Sequence, residues 1–166
     1  MKQPRALLLL GVVLSSCSGP TVPAAGTFRA QLTGARSGTL SGPSNADRIF
    51  AAPFEELQFA IRMFAPRGDT VEVLVLRCAG DQPPSAGEYS LDLSGESCIA
   101  TYSLVLSTED GARLLEAMTA SSGKLTIGAS EPGQTAGFFT FSGTLVADSD
   151  SVGTLRADGA FSADVL

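Results

Sequence analysis

Residues 71–106 read VEVLVLRCAGDQPPSAGEYSLDLSGESCIATYSLVL, and this stretch decides the fold. Val71–Cys78 is apolar on both faces, with Val71, Val73 and Val75 set against Leu74 and Leu76. Such a run suits a central strand covered on both sides. Glu88–Leu93 alternates cleanly: Tyr89, Leu91 and Leu93 oppose Glu88, Ser90 and Asp92, the pattern of a half-buried strand. Ile99–Leu106 places Tyr102, Leu104 and Leu106 on one face. Gln82-Pro83-Pro84 breaks the chain between the first two runs.

The same period extends outward in both directions. Thr27–Thr33 alternates Phe28, Ala30 and Leu32 with Arg29 and Gln31. Leu57–Met63 turns Leu57, Phe59, Ile61 and Met63 inward, and Gln58 and Arg62 outward. Lys124–Gly128, Gly137–Ala147 and Val152–Val165 complete the set, with turn signals at Pro66–Asp69, Ser121–Gly123, Glu131–Gly133 and Asp148–Ser151. Gly143, Gly153 and Gly159 predict bulges, or places where an aromatic ring lies over bare backbone. Glu109–Met118 has an acidic first turn and puts Leu114, Leu115 and Met118 on one helical face. It reads as a short helix, or as a strand over Leu115–Ala120. Ser41–Phe54 shows no period and is expected to be a loop. The reading is one all-β domain over residues 27–166, an antiparallel β-sandwich of about 8–10 strands. A closed or flattened calycin-like barrel is the alternative.

Composition narrows the partners. The chain has 166 residues, 11 Lys+Arg against 17 Asp+Glu, a net charge of −6, no His and no Trp. An acidic surface disfavours nucleic acid. The absent imidazole removes the commonest general base and metal ligand. At the N-terminus, Lys2 and Arg5 precede Ala6–Leu14, nine residues that are all apolar or Gly. That run is too short to span a bilayer as a helix, and its length and flanks are those of an export signal.

Leu14-Ser15-Ser16-Cys17 ends the run, and here the chain resembles the bacterial lipoproteins, whose lipobox it matches at all four positions. The resemblance implies a signal peptide over residues 1–16, cleavage before Cys17, a diacylglycerol thioether on its sulfur and an acyl chain such as palmitate on its amino group. Two or three chains make a durable membrane anchor. Ser18, not Asp, follows the cysteine; within the family this implies the outer membrane of the cell envelope. Residues 17–26 are then the lipidated cysteine and a Pro- and Gly-rich tether. Cleavage would leave 9 basic and 17 acidic residues, a mature charge of −8. The general run of Gly-x-Phe strands is similar to many all-β bacterial lipoproteins of no assigned function.

An exported domain with two remaining cysteines pairs them, so a Cys78–Cys98 disulfide is expected, the alternative being two buried thiols. The bond constrains the topology. In a plain meander of 71–78, 88–93 and 99–106, the two cysteines would sit at opposite ends of a strand roughly 20 Å long. Disulfide Cα atoms lie within about 7 Å of each other. Strands 71–78 and 99–106 must therefore join at their cysteine ends, and segment 79–97 must leave, pair elsewhere and return.

Candidate chemistry is sparse. Without His there is no Ser-His-Asp or Cys-His machinery, and the cysteine usage excludes a four-cysteine zinc site. Ser121-Ser122-Gly123-Lys124 fits Ser-x-x-Lys, but its partner motifs are absent and a hairpin turn is the more natural reading. Asp148 and Asp150 could offer oxygens to calcium, without the rest of a binding loop. Glu55, Glu56, Asp81, Glu88, Asp92 and Glu96 could supply a glycosidase-like carboxylate pair; Glu88 and Asp92 read as a solvated face. Phe138, Phe139 and Phe141 put aromatics on both faces of one strand, which fits a doubly buried strand or the wall of an apolar pocket. These readings point to a non-enzymatic binding or structural module, needing no cofactor, whose partner is an envelope protein or small ligand. A carrier of a small lipophile in a barrel cavity comes second, and a Ser/Lys or carboxylate hydrolase third.

Overall fold

A computed structural model describes residues 21–50, 56–94, 98–128, 130 and 132–166. Among them every regular element is a strand. The ten strands are β1 (Thr27–Gly34), β2 (Gly38–Phe50), β3 (Leu57–Arg67), β4 (Thr70–Ala79), β5 (Gly87–Ser90), β6 (Cys98–Thr108), β7 (Gly111–Thr119), β8 (Ser122–Ile127), β9 (Gln134–Ala147) and β10 (Asp150–Val165). They form one sheet that returns on itself, in the manner of a sandwich or a flattened barrel. β1 lies antiparallel between β10 and β2. Beyond the start of β1, Asp164 and Val165 of β10 reach Asn45 and Ala46 of β2 directly, in parallel. β7 and β8 act as one bent strand along β9: Ala117 faces Val146, and Ser122 faces Ser142.

The two ends of this ring differ. Tight turns at 34–38, 67–70, 108–111 and 147–150 close one end. Gly34 (φ 97°) permits the first, because a Cβ there would strike the carbonyl oxygen of Thr154. Ala35 N–H instead donates to that oxygen at 2.8 Å. The longer connections lie at the opposite end, where β1 begins and β10 finishes. We call this the loop end, and the other the hairpin end.

Inward positions alternate along each strand and fill the interior. Phe28, Phe59, Phe141, Phe161 and Tyr102 are among its largest fully buried side chains. Phe139 packs between Phe141 and Phe161, with ring centroids 5.6 and 6.5 Å away. Its ring also lies against the bare backbone of Gly159, and β10 bulges between Ser151 and Gly153, both as the glycine pattern predicts. Phe138 faces outward.

The expected crossing is present. β4 pairs with β6 in antiparallel register, with Cys78 opposite Cys98. The two are disulfide-bonded with Cα atoms 4.1 Å apart. The described part of the intervening segment, 79–94, leaves this pair, and β5 within it pairs with β8.

Several expectations are corrected. Residues 109–118 form no helix: β7 is a strand, and Leu115 is its extra residue where Leu104 and Val105 face Glu116 and Leu114. Leu114, Leu115 and Met118 do not share a face: Leu114 is exposed, Leu115 packs against the core and Met118 is buried. Ser41–Phe50 is not a loop but most of β2. Its inward residues past Leu40 are Gly42, Ser44 and Ala46, too small or too polar to show an apolar period. The 88–93 strand ends at Ser90, and Leu93 is 65% exposed. A turn in which Ser94 N–H donates to Asp92 Oδ1 (2.9 Å) takes its place. Leu57, expected inward, is exposed, whereas Gln58 is buried. On β4 only Glu72, Leu74, Leu76 and Cys78 are fully inside; the three valines are half-buried on the outer face.

Candidate functional site

The sequence-predicted candidates do not converge. Lys124 Nζ is held by both oxygens of Glu88 at 3.1 Å. The Ser121 hydroxyl donates to the carbonyl of Ser142 at 3.3 Å, so the two ends of the Ser-x-x-Lys motif have different partners. Asp148 and Ser149 take positive φ (47° and 75°) in the tight turn before Asp150. Asp148 is an exposed partner of Arg113 at 3.9 Å. Among the described residues no three potential metal ligands gather. Glu56 and Asp81 are exposed, and Cys17, Glu55 and Glu96 lie outside the described residues.

An ionic cluster at the hairpin end escaped the sequence reading. β4 turns Glu72 inward on the face it shares with Leu74 and Leu76. Leu104 of β6 faces Glu72 on one side and Glu116 of β7 on the other. The Leu115 bulge re-aims Glu116 toward the interior. Arg36, carried over this end by the turn that Gly34 permits, lies between the two carboxylates. Its Nη1 donates to Glu72 Oε1 at 3.1 Å, and its Nε lies 2.6 Å from Glu116 Oε2. Its Nη1 also reaches the Tyr102 hydroxyl at 3.5 Å. Arg67 stands 4.0 Å from Glu72 Oε2, an oxygen with no hydrogen-bond partner. The Glu72 side chain is only 4% exposed, so removing its cations would leave a buried, uncompensated charge. Arg36, Arg67, Glu72 and Glu116 line a recess of about 340 Å³ that Ser37, Leu145 and Val152 help to wall. The one sequence signal for this cluster was a carboxylate set in the most apolar strand, between Val71 and Val73.

Electrostatics follow from the burial. Tyr102 is fully buried, and its pKa is pushed up to about 12, first by desolvation and then by the charge of Glu72, against the pull of Arg36. Burial works to lower the pKa of Arg36, but Tyr102 and Glu116 outweigh it and the net shift is upward. The sign of the Tyr102 shift fixes a pH window. A native phenol that holds its proton more tightly than the unfolded one stabilises the fold below about pH 10 and loses that contribution as pH rises toward 12. Denaturant titrations are expected to show about 2 kcal/mol lost across that window, and a shallower loss in Tyr102→Phe. Equal losses in both proteins would refute the assignment.

A second recess, an open groove of about 450 Å³, runs along the outer face of β1, β9 and β10 beside Phe138, Arg29, Gln31 and Asp158. Arg156 donates two hydrogen bonds to Asp158, at 2.7 and 2.8 Å. They hold that carboxyl below its usual range, against the effect of its partial burial. Thr21, ahead of β1, lines the same groove. Comparison with family models, curated proteins and solved structures returns no match.

Proposed function

We propose that the protein is a lipid-anchored, non-enzymatic binding module of the bacterial cell envelope, held at the outer membrane through Cys17 and the tether over residues 17–26. The binding reading rests on one observation: large side chains fill the interior of the ring. The recesses described lie at the hairpin end and on the outer face, where a partner meets them from solvent. The anchor rests on Leu14-Ser15-Ser16-Cys17 at the end of a short apolar run. The opposed Arg and Glu charges of the hairpin-end recess suit a polar partner better than a free lipophile.

The test is metabolic labelling with palmitate and intact-mass measurement of the purified protein. Wild type is expected to carry the acyl mass on a chain beginning at Cys17 and to fractionate with membranes. Cys17→Ser is expected to lose both label and membrane association. Unlabelled, soluble wild type would remove the anchor. A lipophile co-extracted in equal amount with the protein would replace the binding module with the carrier.

A further inference from the structure

The hairpin end is acidic. Its turns carry exposed carboxylates: Asp69 in 67–70, Glu109 and Asp110 in 108–111, and Asp148 and Asp150 in 147–150. Asp148 is paired with Arg113, but Asp69, Glu109, Asp110 and Asp150 make no ion pair among the described residues. The recess at this end holds a second, independent feature. The Glu72 side chain lines it from within, only 4% exposed, and its Oε2 has no hydrogen-bond partner. Arg67 is the cation beside that oxygen, but at 4.0 Å its Nε is too far to donate. Its Nη2 donates instead to the Thr39 carbonyl, at 2.8 Å. A buried carboxylate oxygen without a donor is a strong acceptor for one that arrives.

We infer that the hairpin end binds a basic segment of a partner protein, with one arginine side chain entering the recess to donate to Glu72 and its neighbours resting on the acidic turns. The inference deepens the binding-module reading above and rests on it. A guanidinium offers a fork of donors to a carboxylate and is more weakly hydrated than an ammonium, so arginine suits the recess better than lysine. Leu145 and Val152, in the recess wall, suit its aliphatic stem. Arg67, whose side chain is 52% exposed, is the one that yields to the guest. The spread of the charges favours a segment over a single small cation. β4 pairs with β6, and β7 with β9, so the tips of the three acidic hairpins follow one another at intervals of two strands, roughly 10 Å. An extended chain advances the same distance in about three residues. Arginines at every third position therefore set the flanking charges over neighbouring turns when the central one is seated. The acidic charge of the whole chain, −6, draws such a partner in.

Fluorescence polarisation of a labelled peptide is the test. The probe carries three arginines at every third position with glycines between them, and the full chain is titrated into it in a neutral detergent. Saturable binding is expected. Citrulline in place of the central arginine keeps the shape and removes the charge, and should weaken binding about tenfold or more. The same change at either end should cost only about two- to threefold. Asp69→Asn/Glu109→Gln/Asp150→Asn should weaken binding about tenfold. Glu56→Gln/Asp81→Asn/Asp164→Asn, an equal change of charge at exposed positions away from this end, should leave it unchanged. Equal losses from the two triple variants, or from all three citrulline peptides, would reduce the effect to general charge and overturn the inference. Spermidine competing as well as the peptide would replace the segment with a small cation. A peptide that does not bind would overturn the docking site and leave the module reading standing, since that reading is decided by the co-extracted lipophile.

Discussion

Gly137→Val is expected to remove a large part of the stability of the fold. Gly137 is an inward position of β9, paired with Ile127 on one side and Phe161 on the other. A Cβ there would fall on the carbonyl oxygen of Thr126 and stand 3.2 Å from Phe161 Cζ. The ring could tilt away. The carbonyl could not, because it belongs to the β8 backbone, and moving it means parting β8 from β9. Valine adds two further methyls to the same clash. Overpacking of this kind costs a few kcal/mol, and with the backbone in the way the loss should be about 4 kcal/mol or more. A domain of ordinary stability has about 5–15 kcal/mol in total. Circular dichroism melts and urea titrations check the expectation. A midpoint within a few degrees of wild type would refute the close approach. Gly137→Val with Phe161→Leu separates the causes: relieving the ring should recover only a minor part.

Loss of the Cys78–Cys98 bond is the second large effect. The bond joins residues 20 apart in sequence, and closing such a loop contributes about 3 kcal/mol through the unfolded chain. Both cysteines are buried, at 3% and 1% exposure, so Cys78→Ala/Cys98→Ala is the cleaner variant. β4 and β6 remain paired without the bond, from Thr70–Leu106 to Cys78–Cys98. The sheet should therefore survive with its melting temperature lowered by about 6–12 °C. The damage should concentrate in segment 79–94, which the ring holds through the β5–β8 pairing and the Leu91 N–H bond to the Gly123 carbonyl at 3.0 Å. Amide exchange is the decisive measurement. Tyr89 and Leu91 should exchange much faster than Leu74 and Leu76 once the bond is gone. Uniform acceleration through the sheet would count against this picture.

Legibility from the sequence followed the size of the inward side chains. β1 and β6 carry large apolar residues at alternating inward positions, and their period stands out, whereas β4 reads as a strand only through a run apolar on both faces. β2 alternates just as regularly, but its inward Gly42, Ser44 and Ala46 give no apolar signal. Buried Ser44 satisfies its hydroxyl on the carbonyl of Ser162 at 3.1 Å. β7 misled because one extra residue, Leu115, interrupts its period of two. The crossing at residues 79–97 was readable because a covalent bond has a short, fixed reach. The ionic cluster was not. Arg36, Glu72, Tyr102 and Glu116 come from a turn and three strands spread over 80 residues, and nothing local marks them as neighbours.

The seam between β1 and β10 has a consequence in time. It joins the first strand of the chain to the last, with Thr27 opposite Ser162 and Gly34 opposite Leu155. A chain emerging N-terminus first can lay down β2, β3 and β4 as successive hairpins while still incomplete. It cannot seal β1 until β10 is free to pair with it. Contacts of such long sequence separation form late and slowly, and an unsealed strand edge is prone to mispairing meanwhile. Completion of the fold therefore waits on β10, and a truncation that removes Arg156–Leu166 would leave β1 with one edge permanently unmatched.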